Sequence, residues 1–256
     1  MIFTLRAYLF KTLRSPLFYI AILGVTALCS TIFLTYDFFH GDVVNHVNIF
    51  LHIGVYRKAL VVFSALPFAA NFAEEWDSKV TVHCVSRKGV RKYAAANILF
   101  CFAAAMLTVF LGMMLFCGIY SFFVPLYIPD GNPYTFIFGK FLSNGHEEIF
   151  LTLLILVYAV SCAMWAVMGM LLSALIPNKY VAICAPFAAC YVIERISIQL
   201  SGTKGDNLWY LSLSAVHCDS DLLGFLYCTG VFVLISVLCG IAFCILVQKR
   251  VRNESN

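Results

Sequence analysis

The chain has 256 residues, of which 62% are hydrophobic and 12% are charged, and its formal net charge is +4. Its mean hydropathy is +0.91. Soluble domains average about half apolar and about a quarter charged residues. A chain this apolar cannot hide its surface by folding in water, so the composition excludes an ordinary soluble domain and predicts an all-α integral membrane protein.

The apolar residues fall in runs that are long enough to cross a membrane, which takes about 20 residues of helix. These runs predict six transmembrane helices within one transmembrane domain, residues 1–256. The predicted spans are Leu17–Tyr36, Phe50–Ala73, Tyr93–Pro129, Ile149–Ile176, Tyr180–Ile193 and Leu222–Val247. The first run lacks a small-residue cleavage site, so we expect it to remain as an anchor rather than a signal peptide.

Residues 1–15 predict an amphipathic helix that lies in the membrane interface before the first span. One stripe of this helix is apolar and consists of Ile2, Leu5, Leu9 and Leu13. Lys11 and Arg14 lie roughly opposite, where they can face anionic headgroups. Ser15 and Pro16 suit the N-cap and the first residue of a new helix, so the chain is expected to break here.

The basic residues are distributed unequally between the two sides of the predicted membrane. One side holds 12 of the 17, namely Arg6, Lys11, Arg14, Lys79, Arg87, Lys88, Arg91, Lys92, Lys179, Lys249, Arg250 and Arg252. Lysine and arginine accumulate in cytoplasmic loops. The distribution therefore predicts a multi-pass protein of the plasma membrane with both termini in the cytoplasm. The net positive charge reflects this asymmetry and does not indicate nucleic-acid binding.

Residues 74–92, between the second and third spans, are ordered by charge. Acids come first and bases last: Glu74, Glu75 and Asp77, then Arg87, Lys88, Arg91 and Lys92. Acids at the start of a helix and bases at its end complement the helix dipole. The pattern predicts a short structured cytoplasmic element that contacts another protein, although a solvated loop with ordinary positive-inside charges remains the alternative.

Residues 194–221, before the sixth span, are too apolar for a loop in water. The segment is predicted to be extracellular and either to lie in the interface or to re-enter the outer leaflet.

The whole layout resembles the permease subunit of a type-2 ABC exporter. Phe72-Ala73-Glu74-Glu75-Trp76, then Val85-Ser86-Arg87 and Tyr93, is similar to that family's stretch after the second span, and Leu171–Ile176 with Asn178 is similar to its turn between the fourth and fifth spans. Two positions differ: Ser78-Lys79 stands where the family often has Gly-Thr, and Asn97 where it often has lysine.

The resemblance implies a dimer with a second copy or a homologous permease, each permease binding a separate ABC ATPase. The coupling contact would use Glu74, Glu75, Trp76, Asp77, Arg87, Lys88 and Arg91, and dimer packing would use Gly24, Ala182, Ala185 and Ala189.

The chain has no phosphate-binding loop of its own, because Gly139-Lys140 lacks the upstream glycine and the following hydroxyl residue. We therefore predict a non-enzymatic subunit without cofactor, with ATP and Mg²⁺ held by the partner. An amphiphilic substrate, such as a peptide, drug or lipid-linked molecule, is expected.

Three alternatives remain open. Glu74-Glu75 with His217 and Asp221 shows parts of the pattern of CAAX-type intramembrane proteases, which need a carboxylate that activates water. An ion-coupled secondary transporter would need ionisable residues within the membrane. A metal site could form from Asp37, His40, Asp42 and His46. The eleven cysteines contain no C-x-x-C pair, so they suggest packing residues and not metal ligands.

Overall fold

A computed structural model describes Tyr8 and residues 10–32, 41–81, 84–85, 89–129, 138–201 and 221–254. These residues form helices and connecting turns without any strand, which confirms the predicted all-α fold for this part of the chain. The helices are α1 (Pro16–Ser30), α2 (Val43–His52), α3 (Gly54–Ala65), α4 (Asn71–Asp77), α5 (Val90–Tyr120), α6 (Gly139–Ser143), α7 (Glu147–Leu175), α8 (Lys179–Ser201) and α9 (Asp221–Glu254).

Within the described residues, three helices are long and apolar enough to cross a membrane: α5, α7 and α9. A fourth span is possible if α2 and α3, which meet at a bend of 88°, count as one broken span. Helix α1 is apolar but has only 15 residues. The structure thus supports a membrane protein, and the predicted number of six spans stays a prediction.

Helix α7 lies at the centre of the helical assembly. Its apolar stretch is 78% buried, whereas those of α5 and α9 are 39% and 28% buried. Helices α8, α3, α5 and α9 surround α7, each in contact with the next, and α1 packs against α3 and α5. Helix α7 tolerates this crowding because small residues recur along it, among them Ala159, Ala163, Ala166 and Gly169. Small side chains let helix backbones approach closely.

The predicted second span, Phe50–Ala73, is broken in two places. Ile53 has an extended backbone between α2 and α3, and residues 66–70 form turns between α3 and α4. Pro67 lies in the second break, where its missing N–H and its ring oppose a continuous helix. The length of the apolar run could not show these breaks, because the residues on both sides of each break are apolar and read as one continuous run.

Two other predicted segments are described only in part. Helix α8 continues beyond Ile193 to Ser201, so Glu194 and Arg195 lie on a helix, while residues 202–220 lie outside the described part of the chain. Of the predicted interfacial helix, Tyr8 and residues 10–14 are described and are helical. Leu13 of its apolar stripe is exposed, whereas Tyr8 and Thr12 are buried against the rest of the protein.

We predict that Gly169→Ala destabilises the protein. A Cβ atom at Gly169 would lie 2.5 Å from the Ala182 carbonyl oxygen and 2.4 Å from Pro186 Cγ, so α7 and α8 must move apart. Overpacking of this kind costs about 1–3 kcal/mol. Thermal unfolding in detergent measures the effect. Gly230→Ala is the matched control, because nothing lies within 4 Å of its Cβ position; equal melting temperatures for the two variants would contradict the close packing.

Candidate functional site

The charged segment 74–92 begins on α4, and the three acids at its start differ in their exposure to solvent. Glu75 is buried, with 8% of its surface exposed, whereas Glu74 and Asp77 are exposed. The chain then turns at Ser78 and Lys79, and Lys79 adopts a left-handed backbone with φ of 56°. A non-glycine residue in that region marks a tight turn. The start of the segment is therefore a folded element and not a solvated loop.

Glu75 is held by a network of polar side chains that we call the Glu75 cluster: Tyr8, Lys11, Asn71, Glu75, Thr81, Tyr93 and Asn97. All of them are buried except Lys11. Its carboxylate accepts hydrogen bonds from Tyr93 Oη at 2.7 Å and Tyr8 Oη at 3.3 Å, both on Oε2. Asn71 Nδ2 donates to Oε1 at 3.0 Å. A buried carboxylate needs several donors of this kind to offset its lost hydration.

The other polar groups of the Glu75 cluster are satisfied as well. Asn71 Nδ2 also donates to Asn97 Oδ1 at 2.8 Å, and Asn71 Oδ1 accepts from Lys11 Nζ. Asn97 Nδ2 donates to Tyr8 Oη at 3.1 Å and to the Tyr93 carbonyl at 3.3 Å. Burial, and then the Glu75 charge, raises the pKa of Tyr8 well above its ordinary value, so Tyr8 remains a hydrogen-bond donor. A fully satisfied network makes its members rigid.

The Glu75 cluster joins three parts of the chain that are distant in sequence. Tyr8 and Lys11 come from the N-terminal segment, Asn71 and Glu75 from α4, and Tyr93 and Asn97 from the first turns of α5. The N-terminal segment is thus attached to the base of the charged element. Asn97, a position where the chain departs from the type-2 pattern, is fully buried here.

An open pocket of about 410 Å³ lies beside α4 and is called here the Trp76 pocket. It is lined by Trp76, Ala174, Leu175, Leu246, Lys249, Arg250 and Asn253. The Arg250 guanidinium lies 5.5 Å from the centre of the Trp76 ring, within cation–π range, and also donates to the Leu175 carbonyl. The ends of α7 and α9 therefore meet the charged element at a concave, basic surface.

The residues predicted to bind a partner take different positions. Glu74, Asp77 and Arg91 are exposed and Trp76 is half-buried, so each can contact another protein. Glu75 is buried and acts as a positioning residue for α4. Arg87 and Lys88 lie outside the described residues.

The residues predicted to pack a dimer lie on α1 and α8. A Cβ atom at Gly24 would lie 2.4 Å from Phe63 of α3, and Ala182 is fully buried against Gly169 of α7. These two residues thus have packing partners within the chain. Ala185 and Ala189 are half-buried, and Phe187, Tyr191 and Val192 beside them are exposed. Dimer packing through this helix stays a prediction.

A second buried polar group, the Arg57 cluster, was missed by the sequence analysis. It consists of Arg57 and Lys58 on α3 with Cys190 and Glu194 on α8. Glu194 carboxylate oxygens lie 3.1 Å from Arg57 Nη2 and 3.2 Å from Lys58 Nζ, and Cys190 Sγ donates to Glu194 Oε1 at 3.5 Å. Arg57 is 6% and Glu194 8% exposed. The sequence did contain a signal for this contact: Arg57 and Lys58 interrupt the second apolar run, and Glu194 follows the fifth.

Two of the four candidate metal ligands, Asp42 and His46, are described, and both make other contacts. Asp42 caps α2 by accepting from the Asn45 N–H at 2.6 Å, and it also accepts from the Ile128 N–H at 2.6 Å. His46 Nδ1 lies 2.6 Å from the Asp42 carbonyl oxygen. Asp37 and His40 are not among the described residues, and within the described ranges no group of three or more metal-ligating side chains occurs.

Comparisons of the chain with models of known protein families, with curated proteins and with solved structures give no match.

We predict that Glu75→Ala destabilises the protein while Glu74→Ala does not. The first change leaves donors of Tyr93, Tyr8 and Asn71 buried without their acceptor, at about 1–3 kcal/mol for each unpaired group. Glu74 is exposed on the same helix, so its loss should fall within about 0.5 kcal/mol. Thermal unfolding of both variants in detergent compares them directly. Equal losses of stability would show that the Glu75 cluster does not hold α4.

Proposed function

We propose that the chain is the membrane-spanning permease subunit of an ATP-driven exporter of the type-2 ABC class. It would have six spans, cytoplasmic termini and a place in the plasma membrane. ATP and Mg²⁺ would be bound by a separate ATPase subunit, and the permease would pair with a second copy or a homologous permease. An amphiphilic molecule is the proposed cargo, since apolar and aromatic residues, which are 62% and 16% of the chain, suit such a substrate.

The observation that supports this proposal most is the anchoring of α4 by the Glu75 cluster. A subunit driven by a separate motor needs a contact element that moves with its membrane helices. Helix α4 meets this need, because Glu75 ties it to α5 and to the N-terminal segment while Glu74 and Asp77 remain exposed. The Trp76 pocket adds a basic concave surface beside the same helix.

The geometry gives less support to a CAAX-type protease. Both oxygens of Glu75 accept hydrogen bonds from Tyr8, Tyr93 or Asn71. A carboxylate that activates water must be open to that water, and Glu75 has only 8% of its surface exposed. Glu74, the other candidate, is exposed; His217 lies outside the described residues.

The proposal predicts that the double variant Arg87→Glu/Arg91→Glu loses its ATPase partner. Arg91 is exposed at the start of α5, which begins at Val90 after Gly89 with a φ of 79°, and Arg87 lies outside the described residues. Reversing charges within a desolvated interface costs about 2–5 kcal/mol. The measurement is recovery of an ATPase that carries a phosphate-binding loop with the tagged chain in mild detergent, together with stimulation of its ATP hydrolysis.

Lys140→Glu is the control for this experiment, because Lys140 is an exposed base on the predicted opposite side of the membrane. We expect it to retain the partner and the stimulation. Unchanged recovery and stimulation for the double variant would contradict the coupling role of residues 74–92. Absence of any ATPase from the native complex would contradict the permease assignment as a whole.

One observation favours a second candidate, an ion-coupled secondary transporter. The Arg57 cluster places three ionisable side chains between α3 and α8, at least two of them buried. Buried ionisable residues in membrane proteins often mark ion or proton pathways.

Proton flux into proteoliposomes that contain this chain alone separates the two candidates. The ATP-driven proposal predicts no flux above that of empty liposomes when a membrane potential is imposed and an internal pH dye is read. A flux that Glu194→Gln abolishes, and that the exposed-site control Glu148→Gln retains, would favour the secondary transporter instead.

A further inference from the structure

The Trp76 pocket, of about 410 Å³, combines an apolar wall with a basic one. Its volume lies within the range of about 300–1,000 Å³ that is common for ligand sites. The apolar part consists of Trp76, Ala174, Leu175 and Leu246, and the polar part of Lys249, Arg250 and Asn253. A ligand in this pocket would therefore meet apolar contacts and positive charge together, as an anionic amphiphile requires.

The charge of the lining is positive, because no acid is among the described residues that line the pocket. The other cavity beside α4, of about 210 Å³, is lined by Glu74 as well as by Lys11 and Lys179. A carboxylate in the wall repels an anion. Of these two cavities, the Trp76 pocket is thus the one whose charge favours an anionic ligand.

Arg250 is held in position at the pocket by two contacts. Its guanidinium lies 5.5 Å from the centre of the Trp76 ring, and its Nη2 donates to the Leu175 carbonyl at the end of α7. The second contact also offsets the partial negative charge at the C-terminus of a helix. A guanidinium has five N–H donors. The two contacts therefore orient Arg250 and leave donors that can bind a phosphate.

The pocket lies where α9 leaves the predicted hydrocarbon layer. The predicted span ends at Val247, and Lys249, Arg250 and Arg252 follow it on the predicted cytoplasmic side. Tryptophan is enriched at membrane–water interfaces, and the cytoplasmic leaflet carries anionic lipids. The pocket is therefore at the level of lipid headgroups.

An exposed apolar face of α9 leads to Lys249. Leu234, Leu238, Ile241 and Ile245 precede it at intervals of three or four residues, so they share one side of the helix with Lys249. Each of these four side chains belongs to a residue with 55–60% of its surface exposed. An amphiphile with its charged head in the pocket can thus place its acyl chains along this face.

We propose that the Trp76 pocket binds the headgroup of an anionic phospholipid, with the phosphate at Lys249 and Arg250 and the acyl chains along the exposed face of α9. Basic pockets between membrane helices on the cytoplasmic side bind such headgroups. A soluble anion or an acidic segment of another protein could use the basic wall, but it could not use a face of α9 that lies in the hydrocarbon. The lipid site does not depend on an ATPase partner.

Native mass spectrometry of the purified full chain tests this proposal. The protein is incubated with equimolar phosphatidylglycerol and phosphatidylcholine, and the ratio of the two retained lipids is measured. We expect phosphatidylglycerol to be preferred. Lys249→Gln should lower the ratio about fivefold, the effect of one lysine charge near an anionic surface. Lys249 is exposed, so its replacement should leave the fold intact.

Two matched variants make the result specific. Lys179→Gln removes another exposed base at the same end of α7 and should keep the native ratio, as should Lys249→Arg, which retains the charge. Equal retention of both lipids by the native chain would overturn the proposal. An equal loss for Lys179→Gln and Lys249→Gln would also overturn it, because general attraction to a basic surface would then explain the preference.

A second measurement separates the lipid from a soluble anion. Glycerol phosphate carries the charged head without acyl chains, and it is added at the concentration of the phosphatidylglycerol. We expect the bound lipid to remain, because the face of α9 holds only a molecule with acyl chains. Displacement of the lipid would show that the pocket takes a free phosphate, and the lipid assignment would be wrong.

Discussion

The buried carboxylate of Glu75 imposes the constraint on which the candidate site depends. An acid inside an apolar protein must have donors for both oxygens, and these donors must themselves be satisfied. Here Tyr8, Asn71 and Tyr93 supply them, and Asn97 completes the network. Because these residues come from separate parts of the chain, meeting the requirement of one side chain joins the N-terminal segment, α4 and α5 into a single unit.

The stretch from α3 to α4 is held by polar contacts at both ends. Arg57, near the start of α3, pairs with Glu194 of α8, and Glu75, near the end of α4, pairs with groups of α5. Between these two attachments the chain breaks at the turns around Pro67. Removing one partner of a buried ion pair leaves the other charge without a partner, which is strongly destabilising.

Helix α4 presents different chemistry on its different sides. Glu75 is directed into the protein, Trp76 lines the open pocket with Arg250, and Asn71 and Glu74 line the cavity near Lys179. Glu74 is exposed and also lines this cavity, so these two surfaces of α4 share a residue.

The sequence by itself determined the fold class and the place of the charged element. In lipid the backbone must satisfy its own hydrogen bonds, which an apolar run of about 20 residues does as a helix. The all-α fold and the bounds of α7 therefore followed from composition and run length, whereas α9 continues beyond the predicted end at Val247 to Glu254. The ordering of Glu74, Asp77 and Arg91 after the second apolar run likewise marked the element.

Only the tertiary structure decided which of these charges are buried and what they contact. Glu74 and Glu75 are adjacent and chemically alike, yet one is exposed and the other accepts three hydrogen bonds, because their burial depends on where α5 and the N-terminal segment pack. Arg57 and Glu194 are likewise 137 positions apart, and no local pattern relates them. Contacts between distant residues arise from helix packing, which periodicity along one helix does not encode.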